Sequence, residues 1–521
     1  MVIEPSRVLE SKYFEASTNS FFGFVDKLRS REACQLTSSG LESLIKADGF
    51  DLLRQLLQDH LDFRGPGLVD APVVGADDVV RTESRPGPRN LDTIVGRVVV
   101  NRMGYGRAGV KSLVPLDAAL NLPQELASFG IRKELAIEAS KSSYEEAVTT
   151  VARATPVTVG KRQAEGLIIK AAQDVDGFYE TRKVPEHMRD RTGPIQVLTV
   201  DQKGIVMRHE HLLEATQRAA EQAQHKLKKR LSPGEKKNRK RMATVAAVYS
   251  IEPMFRRPED IVRELKRVES VDMKVKRPRP EYKRVWASIQ KQLETVIKEA
   301  VAEGLRRDPA KSKQWIALVD GNKTQIDVLK KHAKKNGIEL TIILDIIHVI
   351  EYLWDAAAAL NQPSTPEAEQ WVTERLFLIL QGKASSVAAG MRRSATLNEL
   401  LDEKRAPVDK CAKYLLNHKK YLNYDQYLAA GYPIATGVIE GACRHLIKDR
   451  LDITGARWGL QSAEAILRLR SLRSSGDFEE YWAYHEAQEF SRNHAQKFKA
   501  AIPVVGLPAR AGDAPKLRVV K

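Results

Sequence analysis

Cysteine is nearly absent: Cys34, Cys411 and Cys443 stand far apart in 521 residues. A disulfide framework needs several cysteines and a thiolate zinc site needs closely spaced pairs, so neither is written here, and the usage suits a reducing compartment. Aromatic residues make up only 6%, too few for the ribbon of stacking rings that a single-strand binder uses. Long apolar runs are missing as well. The best, Ile338 to Trp354, is interrupted by Glu339, Asp345, His348 and Glu351, so no membrane-spanning helix is expected. The opening residues, MVIEPSRVLE, lack the basic-then-apolar order of a secretory leader. A cytoplasmic protein is expected. Acid is in deficit: 84 Lys and Arg against 67 Asp and Glu give a net charge of +17. Such an excess favours a polyanionic partner, because each phosphate neutralised releases counterions. The sign alone does not separate DNA from RNA or from an anionic membrane surface.

What is present is ordinary globular material. Hydrophobic residues at 43% can bury a core, and the length corresponds to about three to four domains. Leu41, Leu44, Ile45, Leu52, Leu53, Leu56 and Leu57 recur at helical spacing. Residues 62–89 are rich in Gly, Pro and Asp and read as a linker. Thr93 to Arg102 is β-branched and reads as a strand. Residues 115–180 read as helices, among them Tyr144–Ala154 and Lys161–Gln173 across the break PVTVG. This pair is either an ordinary helical hairpin or a helix-turn-helix whose second helix enters a DNA groove. Ile195–Val200 is a strand ending at Asp201, and Gly204–Arg208 reads as the strand it turns into. Lys226 to Arg241 carries nine basic residues and one acid, either a solvated surface or a phosphate-contacting segment. Met242–Ile251 is a third strand, and Glu281 to about Arg307 reads as a helix. Trp315–Val319 and Ile338–Leu344 are further strands, ending at Asp320 and Asp345. Residues 346–431 are helical, as is the chain from Gly437 to about His494. The last two dozen residues read as a disordered basic tail. No internal repeat is visible.

Three acids sit where a metal-dependent site needs them. Asp201 and Asp320 follow apolar strands, at the carboxyl ends where α/β sheets bind ligands. Glu440 opens a helix announced by Pro433, Thr436 and Gly437, with Arg444 and Lys448 four and eight residues on. Carboxylates from separate elements, without a His–Cys cluster, suit two Mg²⁺ or Mn²⁺ ions. The competing reading is that each Asp caps a turn. Asp345 and His348 by spacing alone read as a helix cap and a half-buried imidazole. Trp458 among Arg450, Arg457, Arg468 and Arg470 either stacks on a displaced base or anchors its helix in the core.

At these residues the sequence resembles the Kra group of bacterial insertion-sequence transposases, DDE-type enzymes related to Mutator-like elements. The carrying segments are VLTVDQKGIVMR, WIALVDGNKTQ, IILDIIHVIEYLW, GVIEGACRHLIKDRLDITGARW and SAEAILRLRSLRSSGDFEEYW. The resemblance covers about residues 100 to 490, and the Glu440 segment is its most specific part. It implies an α/β fold: an RNase H-like catalytic domain interrupted by an all-helical insertion and preceded by a mostly helical DNA-binding region. Asp201, Asp320 and Glu440 become the catalytic and metal-holding acids, His348 a further active-site residue and Asp345 its accessory. One departure stands out. Relatives carry paired cysteines ahead of a Pro-Leu-Asp motif, whereas NRMGYGRAGVKSLVPLD here has none, so packing has to replace any zinc.

The expected organisation is 1–90 helical region and linker, 91–190 DNA-binding region, 191–348 first part of the catalytic core, 349–431 insertion domain, 432–495 second part and 496–521 tail. Expected DNA contacts are Lys161, Arg162, Lys170, Lys228, Lys229, Arg230, Lys236, Lys237, Arg239, Lys240, Arg241, Arg444, Lys448, Arg457 and Trp458. The expected partners are duplex DNA, as terminal inverted repeats and target, and a second copy on that DNA, with no membrane; a nucleoid-associated location follows. Rival readings are an RNase H-like nuclease or resolvase without strand transfer, and a catalytically silent DNA-binding regulator.

Overall fold

The computed structural model describes residues 13–186, 192–222, 239–265, 277–453 and 455–506. Two compact units are formed, Met1–Tyr179 with Glu479–Lys521, and Glu180–Phe478. Among the described residues no helix is long and apolar enough to cross a membrane.

The first unit opens with helices Glu15–Leu28, Arg31–Cys34 and Ser38–Phe63. Five strands follow: β1 (Val73–Val74), β2 (Val80–Arg81), β3 (Glu83–Thr93), β4 (Gly96–Arg107) and β5 (Val110–Leu113). The expected linker 62–89 is therefore corrected, since β1, β2 and half of β3 lie in it. Pro86, Gly87 and Pro88 disguise β3, but the sheet order β3-β4-β5 puts it at an edge, where a missing N–H costs no ladder bond. The expected strand Thr93–Arg102 is split, with the β3–β4 turn falling between Thr93 and Gly96.

Packing and ion pairs hold the cysteine-free stretch. Leu116 packs with Leu91, Val98, Val100, Leu122 and Val505, and Asp117 takes ion pairs from Arg89, at 3.3 Å, and Arg102. Residues 496–506, expected as tail, are part of this unit. Val505 is in that core, and Phe498 packs on Val73 and Leu113 and bridges to Gly75; the rest of the tail lies outside the described residues. Beyond the sheet come helices Phe129–Lys141, Tyr144–Ala154, Lys161–Ala171 and Val175–Thr181. Ser143 caps the second of them by accepting the Glu146 N–H, the Ser-x-x-Glu pattern of a helix start.

The second unit is a mixed α/β structure around five strands: β6 (Ile195–Val206), β7 (Lys240–Ile251), β8 (Glu281–Ser288), β9 (Gln314–Val319) and β10 (Leu340–Leu344). Their order is β10-β9-β6-β7-β8. Neighbours β6, β7 and β8 run antiparallel, and β9 and β10 run parallel to β6. Two expectations change here. Glu281–Ser288 is a strand and the helix starts at Leu293, because no Gly or Pro breaks the sequence between them. β6 is one continuous strand through Asp201, paired with β7 along its length, so no turn separates Ile195–Val200 from Gly204. Gly204 is needed for contact, not for turning, as a Cβ there would meet Lys240 Cδ at 2.8 Å.

Residues 346–429 are helical, as expected, in five helices from Ile346–Leu360 to Tyr424–Ala429. They are not a separate domain. Val349, Leu353, Leu376, Leu415 and Tyr424 share one buried cluster with Leu198, Ile316, Leu318 and Ile343 of the sheet. Apolar burial at about 25 cal/mol per Å² makes that shared core the dominant stabilising term.

On the other side of the sheet Glu303 is buried among Arg284, Arg306 and Arg307 at 2.6–2.8 Å. Burial pushes its carboxyl up, but the three guanidinium groups outweigh it and hold the acid well below the carboxylate range. Glu303→Ala strands buried Arg284 and Arg307 without a counter-charge and is expected to cost about 3–5 kcal/mol. Hydrogen exchange of β8 and helix Leu293–Arg307 measures it, and undiminished protection there would reject this account.

Candidate active site

Strand register builds the site. β6 and β9 pair in parallel up to Thr199 opposite Leu318, and β9 and β10 up to Val319 opposite Leu344. Carried on along the chain, those registers set Asp201 level with Asp320, and Asp320 level with Asp345. The Asp345 N–H donates to the Val319 carbonyl at 2.8 Å, which fixes the last step. Residues level in register lie on the same face of a sheet, so three aspartates form a row at the carboxyl ends of adjacent parallel strands. Asp201 is not at the end of its own strand, as expected from sequence; it marks where the parallel neighbour stops. Glu440, exposed on helix Gly437–Ala442, joins the row electrostatically. Burial, then the charges of Asp345, Glu351 and Asp201, push its carboxyl up, while His348 pulls it down.

The acids are held differently. Asp345 has no exposed surface and its oxygens are filled. They accept the Ile347 N–H at 3.1 Å, the Thr436 N–H at 3.2 Å, the Thr436 hydroxyl and the His348 ring at Nδ1, 3.0 Å away. It is both the helix cap that spacing favoured and the partner of His348. Among the described residues Asp201 accepts its neighbour Gln202 N–H, at 2.6 Å, and the Cys443 thiol, at 3.2 Å. Burial and the adjacent Asp201 charge push that thiol far up, which keeps it a proton donor. Asp320 accepts the Asn322 N–H at 2.8 Å. Among the described residues no lysine or arginine pairs with Asp201, Asp320 or Glu440.

The turn after Asp320 is clamped from the helical insertion. Gly321 has φ +96°, and a Cβ there would also lie 3.1 Å from the Tyr414 ring, so only glycine fits. Tyr414 donates its hydroxyl to the Asp320 carbonyl at 2.9 Å, and His418 Nε2 lies 2.9 Å from the Gly321 carbonyl. Tyr424 donates to the Leu344 carbonyl at 2.8 Å. Cys443, Tyr414, His418 and Thr436 are the residues that sequence reasoning missed. Tyr414 and His418 stand four apart on one helix face, a signal that could have found them; nothing local marks Cys443.

Several expected contacts change. Residues Cys443–Lys448 form a π-helix, and Arg444 lies 3.6 Å from Asp449 rather than pairing with Glu440. Such turns recur at functional sites. Trp458 is buried, its indole donating to the Leu451 carbonyl at 3.1 Å under the Arg450 guanidinium, so it anchors the chain and has no face free for a base. Lys161, Arg162 and Lys170 lie exposed on helix Lys161–Ala171, opposite buried Ala164, Leu167 and Ile168. Lys161 pairs with Glu145 and Lys170 with Glu125. Arg239, Lys240 and Arg241 are half-buried at the start of β7, and Arg457 and Lys448 are exposed. Lys228, Lys229, Arg230, Lys236 and Lys237 lie outside the described residues.

The carboxylate row is open. Among the described residues, only Asp174, His485 and Glu489 bring three ligand atoms within 4.8 Å of one another. Those acids are already neutralised by Arg492, at 2.7 Å from each. That group is a structural ion network of the first unit, whereas Asp201, Asp320 and Glu440 are spread more widely and, among the described residues, pair with no lysine or arginine.

No family model matches the chain, and no curated protein matches it in sequence. Among solved structures the chain is similar to the Drosophila P element transposase strand transfer complex, at 10% identity and a TM-score of 0.31, over 68% of this chain and 92% of that one.

The His348–Asp345 pair has a measurable consequence. The hydrogen bond to Asp345 raises the imidazole most; burial opposes it, and the charges of Asp345, Glu351 and Asp320 add, carrying it up to about 9. A raised histidine stabilises the fold fully below its unfolded value of about 6.5, and that contribution fades as pH rises through about 9. In an NMR titration of the metal-free protein the His348 midpoint is expected near 9, falling by more than a unit in Asp345→Asn. An equal midpoint in both proteins would refute the pairing.

Proposed function

We propose that the chain is a DDE-type DNA transposase, cleaving at the inverted repeats of its element and joining the freed ends to target DNA. The observation that carries this reading is the carboxylate row, with Asp201 and Asp320 level on adjacent parallel strands and Glu440 beside them, none paired with a lysine or arginine among the described residues. The strand order supports an RNase H-like catalytic fold: three antiparallel strands, then two parallel strands added on the far side of the first. Helices intervene between the second aspartate and the glutamate, as that reading requires.

Acids drawn together from separate elements, with Glu440 pushed up by burial and then by the Asp345 charge, fit a divalent cation. Asp201, Asp320 and Glu440 would hold Mg²⁺ or Mn²⁺, and their spread suits acids shared between two ions. Bound there, such ions make oxygen a stronger nucleophile and ease the departure of the leaving oxygen. The other residues set the stage. Asp345 is a positioning residue that holds His348 as a cation at the edge of the row, where it offsets the charge of a DNA phosphate. The Cys443 thiol fixes the Asp201 carboxylate in one orientation. Tyr414 and His418 lock the Asp320 turn, so the carboxylate is preorganised. Exposed cations of helix Lys161–Ala171 supply phosphate contacts, Arg162 having no acid partner in the structure described.

The test incubates the full chain with labelled duplex carrying the flanking repeats, with and without Mg²⁺. Asp201→Asn, Asp320→Asn and Glu440→Gln are expected to lose about 10²–10³-fold in nicking at the repeat boundary while still binding the duplex. Covalent joining to a second duplex separates a transposase from a simple nuclease. Binding without cleavage in either Mg²⁺ or Mn²⁺, or full activity in Asp320→Asn, would remove the proposal.

A further inference from the structure

The helix Ser38–Phe63 has three sides, and among the described residues two are occupied. One packs on the sheet: Leu57 and Leu61 join the core of Val98 and Val100, and Gln58 bonds both the N–H and the carbonyl of Val99, at 2.8 and 2.9 Å. A second meets helix Glu15–Leu28, where Asp59 accepts the Ser17 N–H at 2.8 Å and Asp48 pairs with Lys27 at 2.6 Å. The third carries Ile45, Gly49, Leu53 and Leu56, spaced as one helical stripe. Its leucines and isoleucine are 45%, 50% and 40% exposed in chain order, and Phe21 on the neighbouring helix is 48% exposed. Elsewhere in this long helix the only fully buried residue is Asp59.

We infer that this stripe is the interface between two copies of the chain, packed antiparallel about a twofold axis near Leu52 and Leu53. Three observations select that occupant. First, Gly49 sits mid-helix, where glycine is unfavourable, yet a Cβ there would meet nothing within 4 Å. No contact among the described residues explains it, whereas a close-approaching partner side chain does. Second, charge along the stripe is polar: Glu42 is exposed at its start, and His60 and Arg64 lie at its end. A twofold axis brings the acid of each copy to the bases of the other, and the helix dipoles oppose. Third, size is adequate. A helix of 26 residues is about 39 Å long. One face of it with the edge of Phe21 offers on the order of 500 Å² per copy, about the threshold for a specific interface. A dimer that depends on concentration is therefore expected. Pairing through this stripe stands whether or not the carboxylate row cleaves DNA.

Sedimentation velocity of the full chain over a wide concentration series tests it. Wild type is expected to shift from monomer to dimer, and Leu53→Glu with Leu56→Glu to stay monomeric with an unchanged circular dichroism spectrum. Leu213→Glu, at a site 54% exposed in the other unit, is expected to dimerise as wild type does. Glu42→Lys should weaken association roughly tenfold, and His60→Glu with Arg64→Glu added to it should restore the affinity. A wild type that stays monomeric throughout overturns the inference. So does a dimer that survives both stripe substitutions, or a stripe freed for pairing only when residues 1–12 are deleted, which would assign it to that segment instead.

Discussion

The buried Asp345 carboxylate ties the second unit together where its function would lie. One side chain caps helix Ile346–Leu360, holds the Thr436 backbone and hydroxyl, and fixes His348. Thr436 immediately precedes the helix that carries Glu440. The end of β10, the start of the insertion and the Glu440 helix therefore meet on one group. Taking an ion out of water costs several kcal/mol unless its lone pairs are filled, and here they are filled by partners drawn from both sides of the helical insertion. That saturation is why Asp345 organises the row, whereas Asp201, Asp320 and Glu440 keep oxygens available.

The same contrast explains how an acid-rich row is tolerated. Like charges at strand ends repel, and after burial the charges of Asp345, Glu351 and Asp201 add to the upward push on Glu440. Offsetting energy comes from elsewhere: the apolar cluster shared by sheet and insertion, and Glu303 with its three arginines on the far side. Insertion helices also reach the row directly through Tyr414, His418 and Tyr424. An insertion that merely decorated the sheet would leave the Asp320 turn dependent on the Asn322 N–H alone.

Much of this was legible in the chain. Apolar runs ending in an acid located β6, β9 and β10, because strands buried on both faces read as unbroken apolar segments. The helix pair Tyr144–Ala154 and Lys161–Ala171 was bounded by Ser143 and by the break at Pro156 and Gly160. What stayed hidden depends on partners remote in sequence. β3 is a strand in spite of Pro86 and Pro88 because it lies at an edge, and β8 ran into the following helix because no breaker separates them. The link from Cys443 to Asp201 spans four strands and the whole insertion, and the π-turn beside it has no local signature. Trp458 looked available among arginines, yet the guanidinium of Arg450 covers its ring.

The π-turn deserves weight for what it does to direction. A regular α-helix from Gly437 would keep Glu440, Arg444 and Lys448 on one face, placing two cations against the acid. In the irregular stretch Cys443–Lys448 Arg444 lies near Asp449 instead, and the Cys443 thiol reaches Asp201. The acid is thus left without the internal counter-ion that an ideal helix would have supplied. A structural helix gains from such i,i+4 pairs, whereas a carboxylate meant to receive an external cation loses by them. Among the described residues Glu440 is thus left without a lysine or arginine, which is what the proposed cation site requires.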